Sequence, residues 1–132
     1  MSLLYKYKQN RNITKFKHNA LKGNPFLKGV VMRARILTPK KPNSAKRPIA
    51  KVILTNKKRI TAHIPGIGHN LRRHSTVLIR GGGARDLPGV SFTCIRGKHD
   101  LVCVPNRFNR RSIYGIPRPE FMIKKLRRKL RV

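Results

Sequence analysis

Acid is almost absent from this chain. Its 132 residues carry 33 Lys and Arg against 3 Asp and Glu, a formal net charge of +30. The carboxylates, Asp86, Asp100 and Glu120, are widely spaced in sequence. That argues against general acid–base and metal-assisted phosphoryl chemistry, which usually needs carboxylates at close quarters. No HExxH and no GxxxxGKS/T phosphate loop occurs, and Gly66-Ile67-Gly68 lacks the third glycine and acidic partner of a dinucleotide site. His74 beside Ser75 has no orienting acid after it, and adjacent residues on a strand point to opposite faces. The expectation is a protein that is not an enzyme and takes no cofactor.

Cysteine is also scarce. Cys94 and Cys103 lack CxxC spacing and form no zinc pattern with the five histidines, so they read as small buried thiols and no metal site is expected. No run of about 18 apolar residues exists, which argues against membrane insertion. The N-terminus lacks the apolar stretch and small-residue cleavage site of a secretory signal. A mitochondrial import signal is harder to judge, because the whole chain is as basic and acid-poor as such signals are; composition leaves the compartment open.

What remains is positive charge with almost nothing in the chain to neutralise it. A globule of this length has a radius of gyration of roughly 14 Å. Thirty charges packed to that size repel by an amount on the order of tens of kcal/mol even in salty water, an upper bound because tails spread the charge. Folding stability is typically about 5–15 kcal/mol, so the counter-charge must come from a partner. Phosphate backbones offer dense negative charge and counterion release, which makes nucleic acid the leading candidate. A DNA-packaging or membrane-active protein is the competing class.

The 39% hydrophobic content suits one small domain with polar flanks. Residues 1–28 are basic with sparse aromatics such as Tyr5, Tyr7 and Phe16; they read as an extension that orders along an anionic groove or, more blandly, as a solvated tail. From Gly29, Val30, Met32, Ala34 and Ile36 alternate with Arg33 and Arg35, which predicts a half-buried strand. Further strands are expected at 49–55, 59–64, 76–80 and 90–95, the first two forming a hairpin. A glycine-rich loop, 81–89, separates the last two. About five short strands in a chain this small favour an all-β fold, a closed barrel of the OB type that leaves no exposed edge. Residues 105–118 read as a basic tail. Residues 119–132 are expected to hold an amphipathic helix, with Met122, Ile123, Leu126 and Leu130 opposite a basic face, able to meet RNA, a protein or a membrane surface.

The loop Thr38-Pro39-Lys40-Lys41-Pro42-Asn43-Ser44-Ala45 sets two cations beside a proline-stiffened turn whose Asn and Ser could contact a shallow RNA minor groove; a solvated turn is the equal alternative. Lys40-Lys41-Pro42-Asn43-Ser44-Ala45 is followed by Leu54-Thr55-Asn56, Ile64-Pro65-Gly66, Gly68-His69-Asn70 and His74-Ser75. Then come Val77-Leu78-Ile79-Arg80-Gly81-Gly82, Asp86-Leu87-Pro88-Gly89-Val90, Arg96-Gly97, Arg111-Ser112 and Tyr114-Gly115. In that order and spacing the set closely resembles the ribosomal protein S twelve family, over about residues 20–118.

The resemblance implies an OB-type barrel, 29–104, with a long basic extension, 1–28, threading ribosomal RNA. It implies a constituent of the small ribosomal subunit at the decoding centre, supporting translational accuracy and tRNA selection. Small-subunit rRNA and other small-subunit proteins would be its partners, with the mRNA–tRNA duplex nearby and elongation factors met transiently. Expected decoding-loop contacts are Lys40, Lys41, Pro42, Asn43 and Ser44 in one loop and Arg85, Asp86, Leu87, Pro88 and Gly89 in the other. Other expected rRNA contacts are Lys6, Lys8, Arg11, Lys15, Lys17 and Lys22 in the extension, Arg33 and Arg35 on the first strand, and His69, Asn70, Arg80, Arg107, Arg110 and Arg111. Asp86 stands where bacterial members of that family can carry a modified aspartate.

Departures from the family pattern are informative. The usual Gly-Glu-Gly-His-Asn reads Gly66-Ile67-Gly68-His69-Asn70, the usual Gln-Glu reads Arg72-Arg73, and the usual Arg-Val-Lys reads Gly83-Ala84-Arg85. Arg85 keeps charge with a planar, forked geometry. Pro48, after Arg47, removes a backbone donor. The loss of acidic residues and the added segment 119–132 favour a mitochondrial ribosome; bacterial cytoplasm or plastid is the alternative.

Overall fold

The computed structural model describes residues 20–119. Residues 1–19 of the expected extension and 120–132 of the expected helix lie outside them. Five strands are present: β1 (Phe26–Leu37), β2 (Arg47–Leu54), β3 (Arg59–His63), β4 (Thr76–Gly81) and β5 (Phe92–Ile95), followed by one helical turn, α1 (Arg111–Tyr114). They close into a barrel in the order β1-β2-β3-β5-β4, with β1 also paired to β4. β3 and β5 run parallel; the other pairs are antiparallel. Closure gives every strand two neighbours and removes the free edges that a short open sheet would expose.

Alternation puts Val52 and Leu54 of β2, Ile60 and Ala62 of β3, and Val77 and Ile79 of β4 inside. Ala34, Ala50 and Ala62 stand in one cross-strand row that continues to Phe92 of β5 and Gly81 of β4. Small side chains on adjacent strands leave the interior volume for one large ring, as a narrow barrel requires. Leu21, ahead of β1, and Leu101, beyond β5, join the same core. The barrel thus reaches back beyond Gly29, and β1 begins at Phe26.

β1 corrects the expected alternation. Its pairing with β2 passes from Val31↔Val52 to Arg33↔Lys51, so Met32 is an extra residue, a β-bulge. Val31, rather than its neighbours, fills the core, while Val30, Met32 and Ile36 are exposed at 41%, 40% and 65%. A bulge switches the face on which later residues fall, which a strict period of two does not register. Ile36, opposite Pro48 near the start of β2, then lies at the rim. Arg33 and Arg35 are exposed, as expected.

β5 starts at Phe92 instead of Val90, because Val90 belongs to a second apolar cluster with Ile49 and Leu87, backed by Leu37 and Ala84. The expected basic tail 105–118 contains α1, which its short, prolyl and glycyl surroundings concealed.

Candidate nucleic-acid interface

The β1–β2 loop and the β4–β5 loop fold against one another. The Lys40 N–H donates to the Asp86 carbonyl at 2.9 Å, and the Asn43 N–H donates to the Lys40 carbonyl at 3.2 Å, closing a turn around a cis Lys41–Pro42 peptide. At the foot of the first loop, the Arg47 guanidinium lies 2.5 Å from the Asp86 carboxylate. Beneath both loops sits the Ile49–Leu87–Val90 cluster. Apolar packing and a charge-assisted contact therefore set the relative position of two segments far apart in sequence.

This arrangement divides the ten expected loop residues. Lys40, Lys41, Pro42, Asn43, Ser44, Arg85, Pro88 and Gly89 are exposed, whereas Leu87 is buried and Asp86 is half-buried. The former present a basic rim around an uncharged Pro42-Asn43-Ser44 tip; the latter hold the loops together. His63, on β3 below them, has its pKa lowered by burial and by Arg47, with Asp86 opposing. The neck of the second loop is equally constrained. A Cβ on Gly83 would lie 1.9 Å from the Val90 carbonyl oxygen, and the buried Thr93 hydroxyl donates to the Gly82 carbonyl.

Arg96 organises a second region. Only 3% exposed, it donates from Nε to Pro65 O at 2.7 Å, from one terminal nitrogen to Val102 O at 3.2 Å, and from the other to Gly68 O. Three carbonyls thus receive the fork that arginine presents. Asn70 completes the clip, donating to Asp100 O at 2.7 Å and accepting from the Val102 N–H at 3.3 Å. Its amide is engaged within the fold. His69 accepts from the Leu71 N–H through Nδ1 at 3.2 Å, and burial, then Arg96, lowers its pKa.

The remaining expected cations are dispersed. Lys22, Arg80, Arg107 and Arg110 are exposed and Arg111 is half-buried. Arg107 stacks 5.0 Å above the Tyr114 ring, a cation–π contact, and Arg111 donates to Pro117 O at 3.1 Å. Lys6, Lys8, Arg11, Lys15 and Lys17 lie outside the described residues. Cys94 is buried and Cys103 half-buried, both as free thiols.

Residues 14–116 match the sequence profile of the family described as Ribosomal protein S12/S23. The chain belongs to that family. Its members are structural proteins of the ribosome, not enzymes. The chain is also similar to the "Small ribosomal subunit protein uS12m" of Paramecium tetraurelia, 57% identical over 133 residues, covering 99% of this chain and 96% of that protein. The mitochondrial member named there agrees with the compartment expected from the lost acidic residues.

Sequence reasoning did not single out Arg47, His63 or Arg96 as organisers of these loops. Arg47 and Asp86 have no periodic relation, and only the barrel's closure brings them together. Arg96 carried one signal: a lone Arg-Gly after an apolar strand. Its burial, however, depends on carbonyls from two other segments.

Proposed function

We propose that this chain is a structural constituent of the small subunit of the mitochondrial ribosome, where it binds small-subunit rRNA at the decoding centre and supports accurate tRNA selection. The observation that carries this reading is the fusion of the two loops through Lys40 and Asp86, with Pro42, Asn43 and Ser44 exposed at the tip. Cations on the rim suit phosphates, while short Asn and Ser side chains suit 2′-hydroxyls and base edges in an RNA minor groove. The work is positional. Charge embeds the protein in RNA, and the fixed loops hold the shape that inspects codon pairing, close to the mRNA–tRNA duplex and within transient reach of elongation factors. Family membership, the +30 charge and the similarity to the Paramecium small-subunit protein support the assembly.

The test is misreading in reconstituted mitochondrial small subunits carrying Asn43→Ala with Ser44→Ala. An altered error frequency with normal subunit assembly is expected. Unchanged misreading removes the decoding role of this loop.

A further inference from the structure

We infer that the barrel end beside α1 carries an apolar docking site for this chain's own C-terminal segment, residues 120–132, which lies outside the described residues. The exposed large apolar side chains of the described residues fall into two groups. Four are on β1, and the others are Ile67, Val102 and Phe108, exposed at 81%, 53% and 65%. A lone apolar side chain on a surface is ordinary, whereas several gathered around one point mark a contact surface.

The fold gathers the second group from separate segments. β3 and β5 run parallel, so the chain that follows each leaves at the same end of the barrel. The two terminal nitrogens of Arg96 donate to Val102 O and Gly68 O, which sets the backbone next to Ile67 beside that of Val102. A Cβ on Gly66 would lie 2.7 Å from Val104 Cγ2 and 3.1 Å from the Tyr114 ring, so the loop that carries Ile67 rests on α1. The Arg107 guanidinium stands 5.0 Å from the centroid of that ring, which brings its chain neighbour Phe108 to the margin of the same surface. The Val104 N–H donates to Tyr114 O at 3.2 Å, tying α1 to the segment that bears Val102.

The chain itself leads to this surface. Arg111 donates to Pro117 O at 3.1 Å, folding the backbone back along α1, and Pro119, the last described residue, is half-buried. Met122 is within about 11 Å of Pro119 along the chain. Met122, Ile123, Leu126 and Leu130 share one face at helical spacing, and such a stripe is about 12 Å long. A helix this short is marginal in water without a surface to lie on. The tether presents one at an effective concentration on the order of millimolar. Charge decides the orientation: with Arg107 beside the patch, the uncharged stripe is the face that meets it, and Lys124, Lys125, Arg127 and Arg128 turn outward.

The test uses assembled mitochondrial small subunits that contain the full chain with a photoreactive benzoylphenylalanine in place of Leu126, and identifies the crosslinked peptides by mass spectrometry. An intrachain crosslink to peptides holding Ile67, Val102 or Phe108 is expected. The same probe in place of Lys125, on the basic face, should not give that product. Ile67→Asn with Phe108→Asn should reduce it about tenfold, because an amide against the stripe loses water without gaining a partner. Ile67→Leu with Phe108→Leu should retain it, and both side chains are exposed enough that neither change unfolds the barrel. Crosslinking of the Leu126 probe mainly to rRNA or to another small-subunit protein overturns the proposal, as does an intrachain product that the Asn variant leaves unchanged. The inference stands apart from the decoding reading: Asn43→Ala with Ser44→Ala leaves the crosslink in place, so the two fail separately.

Discussion

The Lys40 amide and the Asp86 carbonyl, 2.9 Å apart, join two loops that leave opposite ends of the β-chain order. The Asp86 side chain repeats the connection by meeting Arg47. One residue thus ties the loops through both its backbone and its carboxylate, which makes the pair a single presenting element.

Asp86→Asn removes the carboxylate from a guanidinium whose Nε is buried without a hydrogen-bond partner among the described residues. Arg47 remains 36% exposed, so solvent screening limits the expected loss to about 1 kcal/mol. Hydrogen exchange at the Lys40 amide should accelerate, while the Leu54 amide, which donates to Lys58 O at 2.9 Å, stays protected. Equal acceleration at both would mean global loosening instead of loop separation.

His63 reports the same cluster with a definite sign. Burial first and Arg47 second lower its pKa below the ordinary 6.5, so the unfolded chain binds more protons between the folded value and 6.5. Stability is then fully present above 6.5, falls as pH drops through 6.5, and levels off below the folded pKa. In an NMR titration, Asp86→Asn should move the His63 midpoint further down and Arg47→Gln should move it up. Movement in the same direction in both variants would contradict the arrangement of charges.

Gly83 is held by space. A Cβ there would overlap the Val90 carbonyl, so Gly83→Ala must open the neck of the second loop. A loss of about 1–3 kcal/mol is expected, with chemical-shift changes centred on 82–91 and little effect on β2. Substitution at Gly89, where the added Cβ meets nothing within 4 Å and only its positive φ opposes it, should give a smaller, local change.

Arg96→Leu would leave the carbonyls of Pro65, Gly68 and Val102 without their donor. The buried Pro65 carbonyl costs about 1–3 kcal/mol when left unsatisfied, the part-buried Gly68 and Val102 carbonyls cost less because water reaches them, and relief of burying a cation offsets part of the loss; a net loss of about 2 kcal/mol in urea unfolding is expected. Arg96→Lys should recover little of it, because one ammonium does not reproduce the forked geometry.

Thiol reactivity separates the two cysteines. Burial pushes the Cys94 thiol up to about 12, against a smaller opposing effect of Arg96, so at pH 8 it is protonated as well as covered. Iodoacetamide followed by mass spectrometry should label the half-buried Cys103 first and Cys94 only on unfolding. Early labelling of Cys94 would show that the barrel opens locally at β5.

Much of the fold was legible in the sequence because alternating apolar residues mark barrel strands wherever pairing is regular. β3 illustrates this, with Ile60 and Ala62 inside, and Ile64 just beyond it, as the alternation predicts. β1 shows where the reading stops: the bulge at Met32 is specified by pairing with β2, which is a property of two strands. The loop residues Lys40–Ser44 and Arg85–Gly89 could be named from their motifs, whereas the division into presenting and holding side chains could not.

By itself, the sequence determined a basic, acid-poor chain of strand-forming segments that requires a polyanionic partner, since charge and periodicity are local quantities that survive in the unfolded chain. Only the tertiary structure decided which apolar side chains gather at one end of the barrel, which arginine is buried against carbonyls, and that Asp86 serves as the bond between two loops. Those are relations between segments distant along the chain, and barrel closure, by fixing strand order and register, is what brings them within bonding distance.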